Sequence, residues 1–288
     1  MASIHESILA RLRHQGRIRG LEPQAMLLLY IQECFLARLS QSRYIDQLVL
    51  KGGLSMYARY RAEARPTRDI DLAGLGMPNT PTAVSEVITE IARIEVADGL
   101  DFDGQSLQAR EILEDAAHTG IRVELWVMLG KSRERLQLDI SFGNVITPGP
   151  VTLSFPSLLG SVSYPIQGYP LESVLAEKLA AATELGPGNT RMKDFFDLHW
   201  ILSQEPLDDR SLRNALHRTF ISRGIHPQQL APTLAILDHP DTQRRWDQFC
   251  RNTRVEAPGQ ISTVLQTIMA RFQNLAEMDG SETPRSRD

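Results

Sequence analysis

Asp69 and Asp71 flank a single isoleucine in the segment Arg-Asp-Ile-Asp-Leu, residues 68–72. On a strand this spacing puts both carboxylates on one face and Ile70 and Leu72 on the other. Two acids so placed repel each other unless a cation sits between them. Hard oxygen ligands of this kind suit Mg2+, which keeps several waters and takes further ligands from substrate phosphates. Upstream stands Val49-Leu50-Lys51-Gly52-Gly53. Val49 and Leu50 suit a buried strand. The glycine pair leaves the backbone without side chains and open to positive φ, so that a ligand can approach closely. Leu54 to Tyr60 can form a short helix whose first amides face an anion. An Asp-x-Asp pair alone is more often a solvated strand end or a turn cap. The preceding glycines and the apolar alternation move the reading toward a metal pair that handles a nucleotide.

Such a site needs a third acid and a cation for phosphate. Leu136, Leu138, Ile140 and Phe142 alternate with Gln137, Asp139 and Ser141. Asp139 therefore lies on the polar face of an otherwise apolar strand, where it either joins the acidic pair or points into water from a sheet edge. Only four of the 31 basic residues are lysines, namely Lys51, Lys131, Lys178 and Lys193. Lysine offers a compact point charge where arginine offers a planar fork. Lys178 sits at the edge of an apolar stripe within Leu171 to Leu185, so it either snorkels outward or meets a phosphate. A second dense cluster follows in Arg191-Met-Lys-Asp-Phe-Phe-Asp-Leu-His-Trp. Asp194 and Asp197 are spaced to share one helix face.

With 288 residues and 42% hydrophobic content, the chain has room for two domains and a sizeable core. Cys34 and Cys250 form no CxxC pair or metal spacing and read as core residues of a reduced, cytoplasmic protein. No secretory signal or membrane-length apolar run is present. Net charge is −4, but arginines cluster at positions 11–19, 59–68 and 244–254. Beside carboxylates such clusters suit phosphate, with RNA as one source. Neither a Walker loop nor a Rossmann GxGxxG is present, and no serine or cysteine elbow accompanies His199.

The periodicity predicts a helix over residues 21–40, a strand over 48–51, a helix over 54–62 and a strand over 69–73. A turn at 78–81 leads into a helix to about residue 96, and strands follow over 121–129, 136–142 and 151–155. Beyond Gly160 to Tyr169 the chain reads as helical, with helices over 171–185, 210–221, 227–237, 241–253 and 260–275. Domains are expected over 1–160 and 161–276, with a disordered tail over 277–288.

KGG, a helix, RDIDL, LQLDI, EKL and RMKDFFDL in this order resemble the AbiEii family of nucleotidyltransferase-like toxins. The resemblance spans roughly residues 45–200. It implies an α+β fold of the DNA polymerase β-type nucleotidyltransferase superfamily: a small mixed sheet flanked by helices, then a helical C-terminal domain. It also implies that Asp69, Asp71 and Asp139 hold Mg2+, and that Lys51, Gly52, Gly53, Arg68, Lys178 and Lys193 bind the NTP. Lys178 and Asp194 join the three acids as catalytic residues. The expected reaction is transfer of a nucleoside monophosphate from an NTP to an acceptor such as a tRNA 3′ end, by the toxin of a bacterial pair with a cognate antitoxin. Transfer to a small molecule or a protein hydroxyl is the alternative within the enzyme class. A non-catalytic nucleotide-binding regulator is the alternative outside it.

Overall fold

The computed structural model describes residues 4–61, 64–113, 119–160, 162–253 and 255–277. Ala62 of the expected second helix, Arg254 of the last arginine cluster and the expected tail from 278 onward lie outside them. The described chain divides into two compact units. One comprises residues up to 144 together with 150–169; the other comprises 145–149 and the residues after 169. The fold is a mixed α+β architecture.

The first unit begins with α1 (Ile4–Arg19) and α2 (Pro23–Leu39). Pro23 starts α2 where a missing N–H costs nothing. This helix is buried on nearly every side, from Met26 to Leu39, as its all-round apolar composition requires. Next come β1 (Leu48–Leu50), α3 (Gly52–Tyr60), β2 (Ile70–Gly74) and α4 (Pro81–Ala92). Thr80 caps α4 by accepting from the Ala83 N–H. The unit is completed by β3 (Leu100–Leu113), β4 (Thr119–Leu129), β5 (Ser132–Phe142), β6 (Val151–Pro156) and β7 (Ser163–Gly168).

These strands form one sheet in the order β3-β4-β5-β2-β1-β7-β6. The β2/β5 and β1/β7 pairs are parallel and the others antiparallel. Ile121, Val123, Leu125, Val127, Leu136, Leu138 and Ile140 are buried in the core with α2 and α4, as the alternation predicts. The opposite face carries the polar members of the same strands.

Three elements depart from the sequence expectation. α1 arises where only a basic cluster is legible; Ile8 and Leu12 are the residues that bury it. β3 shows no clean alternation because it is the outermost strand and most of its residues remain partly exposed. β7 falls in the stretch where the domain boundary is expected. It pairs with β1 and β6, so the first unit extends to Tyr169 and not to 160.

The second unit contains α5 (Leu171–Leu185), α6 (Met192–Gln204), α7 (Asp209–Ser222), α8 (Leu230–Leu237), α9 (Pro240–Thr253) and α10 (Ile261–Glu277). Glu277, expected in the tail, ends α10. Phe195 and Phe196 dock α6, and Phe196 packs against Trp200 and Phe249. Burial of each phenylalanine contributes about 2 kcal/mol. Ser173 accepts from the Thr147 N–H and donates to the Thr147 carbonyl, tying residues 145–149 to α5. Among the described residues, no helix is long and apolar enough to cross a membrane.

Candidate active site

β2 begins at Ile70, so Asp69 stands one residue ahead of the strand and Asp71 within it. The parallel register sets Asp71 directly opposite Asp139 on β5. One carboxylate oxygen from each of Asp69, Asp71 and Asp139 lies within 4.8 Å of the others. Asp69 and Asp71 are half-buried and Asp139 is buried. The two acids adjacent in sequence and the one from a distant strand therefore meet at a single point. Thr67 donates to Asp69 Oδ1 at 2.9 Å, which fixes the carboxylate that lacks strand support.

The glycine pair closes against these acids. Gly52 has φ +63, a conformation that glycine adopts without strain. A Cβ at Gly52 would sit 1.8 Å from Asp71 Oδ2, and one at Gly53 would sit 2.7 Å from Thr67 Cβ. No side chain fits at either position while Asp71 and Thr67 keep their places. The Lys51 N–H donates to the Asp71 carbonyl at 2.9 Å, joining the strand end to the loop. α3 then starts at Gly52 with no side-chain cap. Its first-turn amides suit an anion. Lys51 is buried and Arg68 is exposed.

The basic residues near the chain start and around the loop are partly engaged in packing. Arg19 donates to the Tyr57 hydroxyl, Arg11 to the Leu159 carbonyl and Arg59 to the Tyr169 carbonyl. Cys34 and Cys250 are free thiols, and burial pushes the Cys34 thiol up.

Arg122 is a member of the site that the motifs do not reveal. It lies on β4 opposite Asp139. Its Nε donates to Asp139 Oδ1 at 2.8 Å and its Nη2 to Asp139 Oδ2 at 2.7 Å. The bond to Asp139 holds the guanidinium firmly in its charged form, and the charges of Glu124 and Asp69 add to this. Gln137 donates to Asp139 Oδ2 at 3.2 Å. The signal was present in the sequence. Arg122 occupies a polar position within the Ile121–Val127 alternation, and the tight turn at Gly130 and Lys131 fixes which β5 residue it meets.

Lys178, Asp194 and Asp197 form a cluster in the second unit. Lys178 Nζ on α5 lies 2.7 Å from Asp194 Oδ1 and 2.8 Å from Asp197 Oδ2 on α6. Arg191 Nε lies 2.7 Å from Asp194 Oδ2. Asp194 and Asp197 are 2% and 1% exposed, and Lys193 beside them is half-buried. Burial alone would raise the Asp194 carboxyl, but Lys178 and Arg191 outweigh it and hold the group well below the usual carboxylate range. The cluster is a buried, charge-balanced lock between two helices, with Lys178 gripped by both acids.

The fit to a divalent cation rests on two observations. Three carboxylates converge, as a hard cation requires. The side-chain-free Gly52 leaves space against one of them that any Cβ would occupy.

The chain is similar along most of its length to known proteins. Residues 34–276 match the family described as nucleotidyl transferase AbiEii toxin, type IV toxin–antitoxin system. A candidate nucleotidyltransferase from H. pylori has a similar structure, with TM-score 0.51 and 14% identity over 91% of this chain and 100% of that one. JHP933 from Helicobacter pylori superposes with TM-score 0.51 and 15% identity over 91% of this chain and 97% of that one. At such identities these structures speak for the fold alone. No curated protein matches the sequence. The family match covers both the acidic triad and the lysine cluster, and it bears out the resemblance carried by KGG, RDIDL and RMKDFFDL. The chain belongs to the AbiEii family of nucleotidyltransferases, the toxins of type IV toxin–antitoxin systems.

Proposed function

We propose that this nucleotidyltransferase transfers a nucleoside monophosphate from an NTP to the 3′ hydroxyl of tRNA, using Mg2+ held by Asp69, Asp71 and Asp139. Family membership implies the NTP and an antitoxin partner. The observation that carries the metal-assisted chemistry is the convergence of the three carboxylates at a glycine loop, and tRNA as acceptor enters through the family resemblance. A non-catalytic nucleotide sensor has no need of three acids at one point.

The hydroxyl oxygen forms a bond to the α-phosphorus, the bond from that phosphorus to the β-bridging oxygen breaks, and pyrophosphate leaves. The hydroxyl proton passes to Asp139 or to water. When bound, the cation supplies charge stabilisation at the phosphoryl oxygens and lowers the pKa of the hydroxyl. Asp69, Asp71 and Asp139 would hold it, and Thr67 keeps Asp69 oriented. The amides at Gly52 and Gly53 receive phosphate oxygens, and Lys51 and Arg68 add positive charge. Positioning and electrostatics supply most of the rate. Lys178, Lys193 and Asp194 enter the reading through the resemblance, as groups that act toward the nucleotide. The grip of Asp194 and Asp197 fixes where the Lys178 charge is presented.

The test is incorporation of α-labelled NTPs, with Mg2+, into total tRNA, total protein and no acceptor. Label in tRNA alone supports the reading. Label in protein alone moves the acceptor to a protein hydroxyl, and no incorporation in any arm contradicts the reading.

A further inference from the structure

We infer that the exposed face of α1, through Arg13 and Arg17, holds the phosphate backbone of the RNA acceptor whose 3′ end meets the acidic triad. The inference rests on the tRNA reading above. α1 carries four arginines and one glutamate within 16 residues, in a chain whose net charge is −4. Ile8, Leu12 and Gly16 bury one side of the helix, and Arg13 and Arg17 are exposed. These two arginines stand one turn apart, where like charges repel. No acid lies three or four residues from either of them in the sequence. A helix face that only meets water is ordinarily laced with both signs. This one carries a single sign, and a polyanion relieves the repulsion. The C-terminal carbonyls of α1 favour Arg17 and Arg19, but Arg13 lies a turn earlier.

The face is fixed relative to the glycine loop. Arg19, at the end of α1, donates to the Tyr57 hydroxyl at 2.8 Å. Tyr57 lies on α3, about 8 Å from Gly52 by helical rise. Arg11 donates to the Leu159 carbonyl. A Cβ at Gly16 would lie 2.9 Å from Met26 Cγ, so α1 is seated closely on α2. Arg11 and Arg19 thus anchor the helix, and Arg13 and Arg17 present their charge to solvent. An RNA strand whose terminal hydroxyl lies at the triad carries its preceding phosphates past α3 to α1. Phosphate contacts of this kind set register and orientation and carry no sequence information.

Binding of fluorescently labelled total tRNA to the full-length protein, without NTP and over a range of salt concentrations, tests this directly. The double substitution Arg13→Gln and Arg17→Gln should weaken tRNA binding by about tenfold at about 0.1 M salt. It should also lower the slope of log affinity against log salt by about two, and each single substitution by about one. The double lysine variant, which keeps both charges, should stay close to the wild type. In transfer assays the double glutamine variant should raise KM for tRNA by the same factor as Kd. Its kcat, its KM for NTP and its transfer to a short single-stranded oligonucleotide of the tRNA 3′ end should match the wild type. Wild-type tRNA affinity and salt slope in that variant overturn the inference and leave the acceptor reading standing, provided tRNA is still labelled. Loss of binding to phosphatidylglycerol vesicles with tRNA affinity unmoved gives the face to a lipid surface and overturns it as well. A wild-type protein that neither binds nor labels tRNA removes the acceptor reading, and the inference with it.

Discussion

At the scale of single residues, the site depends on an absence. Gly52 takes φ +63 and passes so close to Asp71 that a methyl group would overlap the carboxylate. Gly52→Ala must therefore displace either the loop or the acid. A shift of about 1 Å at a reacting centre costs roughly a hundredfold in rate. Transfer by Gly52→Ala should fall by about that factor in kcat, with the melting temperature recorded alongside. A well-folded Gly52→Ala protein with wild-type turnover would separate the glycine loop from the chemistry. The glycines and the Asp-x-Asp pair were legible in the sequence because each lies within one local segment. Arg122 was not, because its importance comes from cross-strand register. It follows only once the turn at Gly130 and Lys131 pairs residue 122 with residue 139.

At the scale of elements, α5 and α6 are joined by Lys178, Asp194 and Asp197. Removing Asp197 leaves Lys178 with Asp194, so at least one charged hydrogen bond is lost. Asp197→Ala should lower stability to urea by about 1–3 kcal/mol and leave kcat nearly unchanged, whereas Asp194→Ala should lower transfer. An inactive but stable Asp197→Ala protein would reverse the two roles. The pH dependence follows from Asp194. Its carboxyl is held below the usual range because Lys178 and Arg191 outweigh burial. The unfolded chain therefore binds the proton first as acid is added. The stabilisation is complete above about pH 4 and is lost as pH falls toward the folded value. The stability gap between wild type and Asp194→Asn should narrow progressively as pH falls below about 4 in urea titrations. A constant gap would mean that Asp194 does not titrate as the geometry requires. Strands β4 and β5 were legible because one face is core and the other polar. The edge strand β3 has no fully buried face, and β7 carries Pro165 and ends at Gly168, so neither shows the period.

At the scale of the whole molecule, the α+β order was readable because helical and alternating periods separate cleanly along most of the chain. The end of the first unit was not, since β7 returns to the sheet through a parallel pairing with β1 that no local pattern encodes. The acceptor is likewise invisible in the fold, because the fold is shared and the chemistry of the site is common to many acceptors. The central claim joins the triad, the cation and tRNA, and one assay reaches all three. Transfer of label from α-labelled NTPs to total tRNA is measured against Mg2+ concentration for wild type, Asp69→Asn and Asp71→Asn, with melting temperatures to confirm folding. The account predicts that wild-type transfer rises with Mg2+, stops on chelation, and falls by about three orders of magnitude in each variant. Transfer that survives chelation, or a folded Asp71→Asn protein that labels tRNA at the wild-type rate, would contradict it.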